Sequence, residues 1–404
     1  MVRGRGEKEE GGGGVLVEKH LGLLKLVKIL SVVVVFVAGV VIGLGTTSHI
    51  NLHFMRQADL YFYADNVSAA VAPSVAGPVN CTLIEANCES VDCLGMDRFV
   101  KPPGLKHSLS DRELFWRASM EPRVKRYPFA RVPKVAFMFL TRGPLPLLPL
   151  WERFFEGQDR NLYTIYVHAN PGFDLNVSSS SVFYGRQIPS QNVEWGTATL
   201  TDAEKRLLAN ALLDFSNERF VLLSESCIPV HNFPTVYKYL IHSKHSFADA
   251  YDEPTRYGRG RYNRKMFPDI HLRQWRKGSQ WFELNRYLAI SVISDTKYYE
   301  IFKKYCKPAC YPDEHYIPTL LNMFYGSQNA NRSVTWVDWS LGGPHPATYE
   351  NVNITEGFIR HIRNNKTLCS YNSEKTSLCY LFARKFAPSA LEPLLNLTSI
   401  VMRF

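Results

Sequence analysis

A single apolar stretch dominates the hydropathy pattern of the first hundred residues. Ile29–Ser48 contains no charged residue and seven valines. Twenty helical residues at about 1.5 Å each span the roughly 30 Å hydrocarbon core of a bilayer. The ten residues before this stretch contain three lysines, whereas no Lys or Arg follows it until Arg56. The positive-inside rule therefore predicts a single-pass type II membrane protein whose N-terminus is cytosolic and whose remaining chain is lumenal.

A cleaved signal peptide is the alternative interpretation, because Gly39, Gly43 and Gly45 can mimic a cleavage region. Signal peptides have an apolar core of about 7–15 residues after a short basic segment. The stretch in this chain is longer and begins only at residue 29, which favours a transmembrane anchor. The sequence thus predicts a cytosolic tail, an anchor, a lumenal stem and a large lumenal domain, at residues 1–28, 29–48, 49–130 and 131–404.

Short apolar segments alternate with helical patterns from residue 132 onward. Val135–Leu140, Leu162–His168 and Phe220–Leu223 have the length and apolar content of buried strands, and Val182–Arg186 is predicted as a further short strand. Strands that alternate with helices indicate an α/β fold with a largely parallel central sheet.

Two helices are predicted between these strands. One spans Pro149–Phe155, and the other is predicted to begin at Thr201-Asp202-Ala203-Glu204, which has the sequence of a capping box. The second helix carries its apolar residues on one face, namely Leu207, Leu208, Ala211, Leu212 and Phe215.

Ligands of open parallel sheets bind beyond the carboxyl ends of the strands. In this chain those positions are Thr141, His168 to Asn170, and Ser224 to Ser226, although an ordinary polar turn explains the last segment equally well. Enzymes of this architecture that use nucleotide sugars often carry an Asp-X-Asp metal motif here, and the sequence contains none. Asp249 and Asp252 are three positions apart and fit that role less well. Cationic side chains are therefore predicted to neutralise any bound nucleotide.

All eight cysteines follow the predicted anchor, which in an oxidising lumen indicates disulfides. Cys369 and Cys379 flank a turn-rich segment and are predicted to pair, with Cys306–Cys310 as a second bridge. Cys227 lies in an apolar segment and is predicted to be a buried free thiol. Seven Asn-X-Ser/Thr sequons also follow the anchor, at Asn66, Asn80, Asn176, Asn331, Asn353, Asn365 and Asn396.

The formal net charge of +10 would be typical of a nucleic-acid partner in another compartment. A lumenal domain does not meet nucleic acid, so an anionic small molecule or polysaccharide is the better interpretation. Basic residues are concentrated between Arg256 and Lys277, with the aromatic residues Tyr257, Tyr262, Phe267 and Trp275 among them. Such a segment suits a sugar-binding surface, and a solvated loop is the alternative.

Two further segments contain residue types that catalyse group transfer. Glu314, in Tyr311-Pro312-Asp313-Glu314-His315-Tyr316, could be a general base for a glycosyl acceptor hydroxyl. The alternative is a helix N-terminus, since Pro at the first position and acids in the first turn are typical there. Arg384 and Lys385 lie between aromatic residues and could bind a diphosphate, Arg in bidentate fashion, although any helix end can carry such cations.

Seven segments in this order resemble the plant branch of glycosyltransferase family 14, the core-2/I-branching β-1,6-N-acetylglucosaminyltransferase-like group: VAFMFLTRG, YVHAN, VEWGTATL, FVLLSESCIPV, CYPDEHYIPTL, TWVDWSLGGPHP and CYLFARKFAP. The resemblance covers about residues 130–404. It implies a GT-A-like α/β fold, Golgi residence and inverting transfer from a UDP-sugar without a metal or other cofactor.

The resemblance also implies roles for individual residues. Glu314 matches the catalytic base of the animal members, Lys385 matches the lysine that holds the diphosphate, and Trp336 matches a tryptophan that stacks on the acceptor sugar. Asn170 stands where the animal members have a uridine-binding aspartate. Their diphosphate-binding arginine aligns with Thr376, next to Lys375.

The sequence and this resemblance together predict a Golgi transferase. It would move a GlcNAc-like sugar from a UDP-sugar to a glycan or glycoprotein acceptor, in cell-wall polysaccharide or arabinogalactan-protein synthesis. Glu314 is the predicted base, Lys385 with Arg384 or Lys375 stabilises the leaving diphosphate, and the nucleotide contacts Thr141, His168 and Asn170. Two alternatives remain open. One is a glucuronosyl- or xylosyltransferase of the same superfamily, and the other is a non-catalytic Golgi glycan-binding or scaffold protein.

Overall fold

The computed structural model describes Val33 and residues 104–404, except for 125–126, 308 and 365. Apart from Val33, these residues belong to one compact unit, Asn87–Phe404. None of the helices in this part of the chain is long and apolar enough to cross a membrane. The predicted anchor lies outside the described residues except for Val33, and the predicted tail lies wholly outside them. Three cysteines and three sequon asparagines also lie outside: Cys81, Cys88, Cys93, Asn66, Asn80 and Asn365.

Helices and strands alternate along the described part of the chain. The α-helices are α1 (Asp111–Ser119), α2 (Leu148–Phe155), α3 (Ala198–Leu212), α4 (Phe233–Ile241), α5 (Arg286–Ser294), α6 (Lys297–Tyr305), α7 (Pro312–Phe324), α8 (Glu356–Arg363) and α9 (Leu391–Leu397). The strands are β1 (Lys134–Leu140), β2 (Tyr163–His168), β3 (Asn217–Ser224), β4 (Ile228–Pro229), β5 (Glu283–Asn285), β6 (Thr335–Val337), β7 (Cys369–Tyr371), β8 (Glu374–Thr376) and β9 (Phe382–Arg384).

The central sheet has the strand order β2-β1-β3-β5. The first three strands are parallel and β5 is antiparallel to β3. Ala136 and Met138 of β1 are buried against one hydrophobic cluster, whereas Val135, Phe137 and Phe139 are buried against another. Both faces are therefore covered, which explains why the strands are continuously apolar in sequence. The α/β fold with a mostly parallel central sheet is confirmed, as are the helix at α2 and the strands β1 to β3.

Two local predictions are wrong. Val182–Arg186 is a turn rather than a strand, because Gly185 adopts a positive φ of 66° and Phe183 inserts into the core beside Phe139. Only the next residue, Gln187, forms a bridge with β2. The segment is thus apolar because it anchors a loop to the core.

The predicted capping box at Thr201 is the second wrong prediction. Helix α3 begins three residues earlier, and the Thr197 side chain accepts a hydrogen bond from the Thr199 N–H at 3.3 Å. Gly196 before it has a φ of 80°, which directs the chain into the helix. Thr201 and Glu204 consequently lie inside the helix, fully buried.

A second sheet has the strand order β4-β9-β6, and its strand β4 follows β3 of the central sheet after three residues. Strand β9 is antiparallel to β4 and parallel to β6. The hairpin of β7 and β8 precedes β9 and is closed by the predicted Cys369–Cys379 disulfide. The Cys306–Cys310 bridge is also present, and Cys227 is a buried free thiol, so these three predictions are confirmed.

Helix α1 packs against α3 and α5, although it lies in the segment predicted as stem. A complete capping box at Ser110 begins the helix. Asp111 forms a bidentate ion pair with Arg206 at 2.6 and 2.7 Å, and Glu121 pairs with Arg286 at 2.7 Å. The packed unit therefore extends to the N-terminal side of residue 131.

Candidate active site

A cavity of about 790 Å³ opens at the carboxyl ends of the parallel strands. Thr141 follows β1 and Asn170 lies just beyond β2, whereas Ser224 ends β3 and Glu225 follows it. All four residues line the cavity. Parallel strands place their carboxyl ends on one sheet edge, where α/β proteins bind ligands. The size is typical of small-molecule sites.

Glu314 lies in one wall of this cavity, in the first turn of α7. Pro312 is the first helical residue, as predicted. The Glu314 carboxylate accepts a hydrogen bond from Arg261 at 2.5 Å, and the Lys277 ammonium lies 3.8 Å away. Its backbone carbonyl accepts a hydrogen bond from the Gly278 N–H at 2.8 Å. Both the side chain and the backbone of Glu314 are thus held by neighbouring segments.

Asp313 and Glu204 form a pair of buried carboxyl groups beside Glu314. Asp313 is 7% exposed and lines the cavity, whereas Glu204 is fully buried and accepts a hydrogen bond from Gln280 at 2.8 Å. Burial, with the charge of Glu314 as the second cause, raises the pKa of Asp313 to about 7. Burial also raises the pKa of Glu204, with the charge of Asp313 adding to the effect. At least one of these groups is therefore neutral near pH 7.

Replacing Asp313 with asparagine is expected to raise the melting temperature, and more at about pH 8 than at about pH 5. The folded-state pKa lies above the unfolded value, so the folded wild type loses stability as pH rises from about 4 to about 7. Asparagine does not ionise and avoids that loss. Thermal unfolding at the two pH values measures the difference, and Glu194→Gln, an exposed carboxylate lining the same cavity, is the control. An equal effect of Asp313→Asn at both pH values would contradict the prediction.

Arg384 ends strand β9, Lys385 follows it directly, and both residues line the cavity. The Arg384 guanidinium lies 4.1 Å from the ring centre of Trp281, and its Nε is buried without a hydrogen-bond partner. Burial lowers the pKa of Arg384. Burial also lowers the pKa of Lys385, to which the charge of Arg384 contributes. Two neighbouring cations in the cavity lining thus form a wall suited to an anionic group.

Of the other predicted site residues, two line the cavity and three do not. Thr141 and Asn170 reach the cavity, whereas His168 does not line it and is fully buried, 3.4 Å from Arg206. Burial lowers the pKa of His168 to about 4, so the imidazole is neutral. Lys375 is exposed on β8, outside the cavity lining. Trp336 packs against Tyr349 and Phe358 and does not line the cavity.

Six tryptophan and tyrosine residues of the cavity lining were not predicted as site residues: Trp195, Tyr251, Trp281, Tyr311, Trp339 and Tyr380. Trp195 and Trp339 are about half exposed, and the Trp195 ring contacts Tyr311 with 5.2 Å between centroids. Flat, accessible rings of this kind suit the apolar faces of sugars. A sequence signal for Trp339 existed, because an aromatic residue beside Gly342-Gly343 lies in a loop rather than in the core.

No group of three or more His, Cys, Asp or Glu side chains able to hold a metal ion occurs within residues that the structure describes. Metal independence remains a prediction that requires a measurement. The four described sequon asparagines, Asn176, Asn331, Asn353 and Asn396, are exposed.

Comparison with known proteins agrees with this geometry. The family model for the Core-2/I-Branching enzyme matches residues 135–363, more than half of the chain. The chain belongs to the Core-2/I-branching enzyme family. It is also 38% identical over 312 residues to a rice protein, Glycosyltransferase BC10 of Oryza sativa subsp. japonica, and the match covers 66% of this chain and 77% of the rice protein. This member of the Core-2/I-branching family is therefore a glycosyltransferase, with a sugar donor and a glycan acceptor as its substrates.

Proposed function

We propose that this chain is an inverting glycosyltransferase that moves a GlcNAc-like sugar from a UDP-sugar to a glycan or glycoprotein acceptor. The observation that supports this proposal is that the Glu314 carboxylate and the cation pair Arg384–Lys385 line the same cavity. A displacement at an anomeric carbon needs a base on the acceptor side and positive charge on the leaving-group side.

In the proposed reaction, Glu314 takes the proton of an acceptor hydroxyl. The acceptor oxygen forms a bond to the anomeric carbon while the bond from that carbon to the diphosphate oxygen breaks. UDP leaves with the electron pair of the broken bond, and the anomeric configuration inverts. Arg261 orients the Glu314 carboxylate, because it donates a hydrogen bond to this group at 2.5 Å. In the proposed reaction the carboxylate accepts hydrogen bonds from both Arg261 and the acceptor hydroxyl.

Arg384 and Lys385 are proposed to stabilise the negative charge that develops on the leaving diphosphate. The Arg384 guanidinium is held 4.1 Å from the centre of the Trp281 ring, so its position is fixed before the reaction begins. Thr141 and Asn170 are proposed to contact the nucleotide. The Thr141 hydroxyl accepts a hydrogen bond from the Gly143 N–H at 3.0 Å, which fixes the loop after β1.

The same proposal includes the cellular location, the type of domain fold, the independence from metal and the products. We place the protein in the Golgi membrane as a type II protein, with a GT-A-like lumenal domain that needs no metal. Its products would be cell-wall polysaccharides or arabinogalactan proteins. The absence of an Asp-X-Asp sequence and the cationic wall at Arg384 and Lys385 support the metal-independent mechanism.

The deciding experiment is UDP release by the full chain, produced in a secretory host and solubilised in detergent. UDP-GlcNAc, UDP-glucuronic acid, UDP-xylose and UDP-galactose are tested with plant-wall acceptors, with and without excess EDTA. Turnover with UDP-GlcNAc that persists in EDTA is the expected result.

Turnover with UDP-glucuronic acid or UDP-xylose instead would replace the donor assignment. Loss of activity in EDTA would overturn the metal-independent mechanism. Glycan binding without UDP affinity would favour a non-catalytic role.

Replacing Lys385 with alanine is expected to lower kcat by about 10²–10³-fold and to weaken UDP binding. The ammonium is half-buried in the cavity wall and acts on charge that grows during the reaction. Lys375→Ala is the matched control, because it removes the same charge from an exposed site outside the cavity lining. Equal losses in both variants would show that general charge, rather than the position of Lys385, is responsible.

A further inference from the structure

The segment between Tyr251 and Lys277 forms a strongly basic surface beside the cavity. It contains eight basic and three acidic side chains, a net charge of +5 and half the net charge of the whole chain. We call these eight residues the basic surface: Arg256, Arg259, Arg261, Arg264, Lys265, Arg273, Arg276 and Lys277. Both end residues of the segment line the cavity, so the basic surface begins at the site itself.

Most of these cations form no ion pair with the part of the protein that the structure describes. Arg259 pairs with Asp252, and Arg261 and Lys277 approach Glu314. The carboxylate of Asp269 is used by Lys297, which lies outside the segment. Within the described residues, four members form no ion pair and are exposed: Arg256, Arg264, Lys265 and Arg273. Exposed, unpaired cations of one sign attract an anionic partner.

A continuous row of contacts joins the basic surface to Glu314. The Arg256 guanidinium lies 4.7 Å from the centre of the exposed Tyr257 ring, and Arg261 lies 5.9 Å from the same ring. Arg261 is also 4.2 Å from the Tyr311 ring, which lines the cavity, and it donates to Glu314. A molecule that follows this row from Arg256 inward reaches the proposed base.

The backbone of the basic surface has a defined shape rather than that of a loose loop. A Cβ atom on Gly258 would lie 2.3 Å from the Glu253 carbonyl oxygen. The two backbone segments of this loop are therefore so close together that only glycine fits at position 258. The buried Trp275 indole N–H donates to the Gly258 carbonyl at 3.1 Å. The cations are therefore presented by an ordered scaffold, which lowers the entropic cost of binding.

We propose that the acceptor is an anionic glycan whose uronic-acid carboxylates bind the basic surface while one of its hydroxyl groups reaches Glu314. This inference rests on the proposed function and specifies the acceptor class. The donor diphosphate has its own cations at Arg384 and Lys385 inside the cavity. The segment carries the four exposed cations named above, which suits a polymer of repeated negative charge better than a single small anion.

The test compares an acidic acceptor oligosaccharide with the same oligosaccharide after reduction of its carboxyl groups to primary alcohols. Reduction removes the charge and leaves the sugar stereochemistry unchanged. For the full chain in detergent, KM for the reduced acceptor is expected to be about tenfold higher, with a smaller change in kcat. High salt is expected to raise KM for the acidic acceptor only. Equal KM values for both acceptors would overturn the inference while leaving glycosyl transfer itself established.

Two double variants with equal net charge locate the effect. Arg256→Gln with Arg264→Gln is expected to raise KM for the acidic acceptor several-fold. Lys238→Gln with Lys244→Gln, which removes two exposed cations outside the cavity lining, is the control. A similar rise in both variants would assign the effect to overall charge and overturn the inference.

A binding measurement separates this inference from failure of the proposed function. Fluorescently labelled oligogalacturonate and its carboxyl-reduced form are titrated with the protein without any donor. The wild type is expected to bind the reduced form more weakly than the acidic form, and the Arg256→Gln/Arg264→Gln variant is expected to bind both forms equally. This result would support binding of the carboxylates at the basic surface even if no donor is turned over. Equal binding of both probes overturns the inference regardless of catalysis.

Discussion

Replacing Glu314 with glutamine is expected to lower kcat about 10²–10⁴-fold, the usual contribution of a general base. Glutamine has nearly the same shape as glutamate but cannot accept the proton of an acceptor hydroxyl. The Arg261 guanidinium, 2.5 Å from the carboxylate in the wild type, would keep an oxygen to contact. The loss should therefore fall on kcat rather than on folding. Transfer is measured with saturating donor and acceptor.

Two controls make this result specific. Glu194→Gln removes a carboxylate from the same cavity lining and should retain most of the activity. UDP affinity and melting temperature of Glu314→Gln should stay close to those of the wild type, since the backbone contact between Glu314 and Gly278 is unchanged. A Glu314→Gln variant that transfers sugar near the wild-type rate would rule out this residue as the base.

Replacing Arg219 with methionine is expected to have the largest effect on stability, about 3–5 kcal/mol. Arg219 of β3 forms a bidentate ion pair with Glu283 of β5 at 2.6 and 2.7 Å. The two side chains are 3% and 0% exposed. Arg219 also donates to the carbonyls of Ser243 and His245, at 3.3 and 2.7 Å. Methionine removes these bonds and leaves the Glu283 carboxylate buried without its charged partner. Chemical denaturation measures the change.

The pH dependence and a double variant test this explanation. Burial already raises the pKa of Glu283, and loss of Arg219 raises it further. Because the folded variant then binds a proton more readily than the unfolded chain, its stability should fall as pH rises above the ordinary glutamate pKa. Changing Glu283 to methionine as well should recover part of the loss. A double variant as unstable as the sum of both single changes would argue against a coupled pair.

The sequence was a good guide wherever burial alone determines structure. The parallel strands are buried on both faces, so β1, for example, is apolar at six successive positions and could be located to within one residue. Pro312 similarly predicted the start of α7, because its fixed φ and missing N–H suit the first helical position. Cys369 and Cys379 were predictable as partners because the turn-rich segment between them folds back as a hairpin, which brings the two cysteines together.

The sequence was a poor guide where tertiary contacts choose between similar local patterns. Thr197, Thr199 and Thr201 each offer a capping hydroxyl, and the conformation at Gly196, which a pattern does not reveal, favours the first. Trp336 and Trp339 are three positions apart, yet the earlier ring packs beside Tyr349 and the later one lines the cavity. The environments of Asp313 and Glu204 likewise depend on the packing of α3 against α7, which no local window contains.

The position of β9 determines when the binding cavity becomes complete during biosynthesis. Ala383 of β9 pairs with Ile228 of β4, and Phe382 pairs with Thr335 of β6, so the strand fits between two segments made much earlier. Chains emerge from the ribosome N-terminus first. The cavity wall that contains Arg384 and Lys385 therefore cannot form until almost all of this sequence has been translated. A nascent chain that has already folded β1 to β3 still lacks the cations proposed to hold its nucleotide.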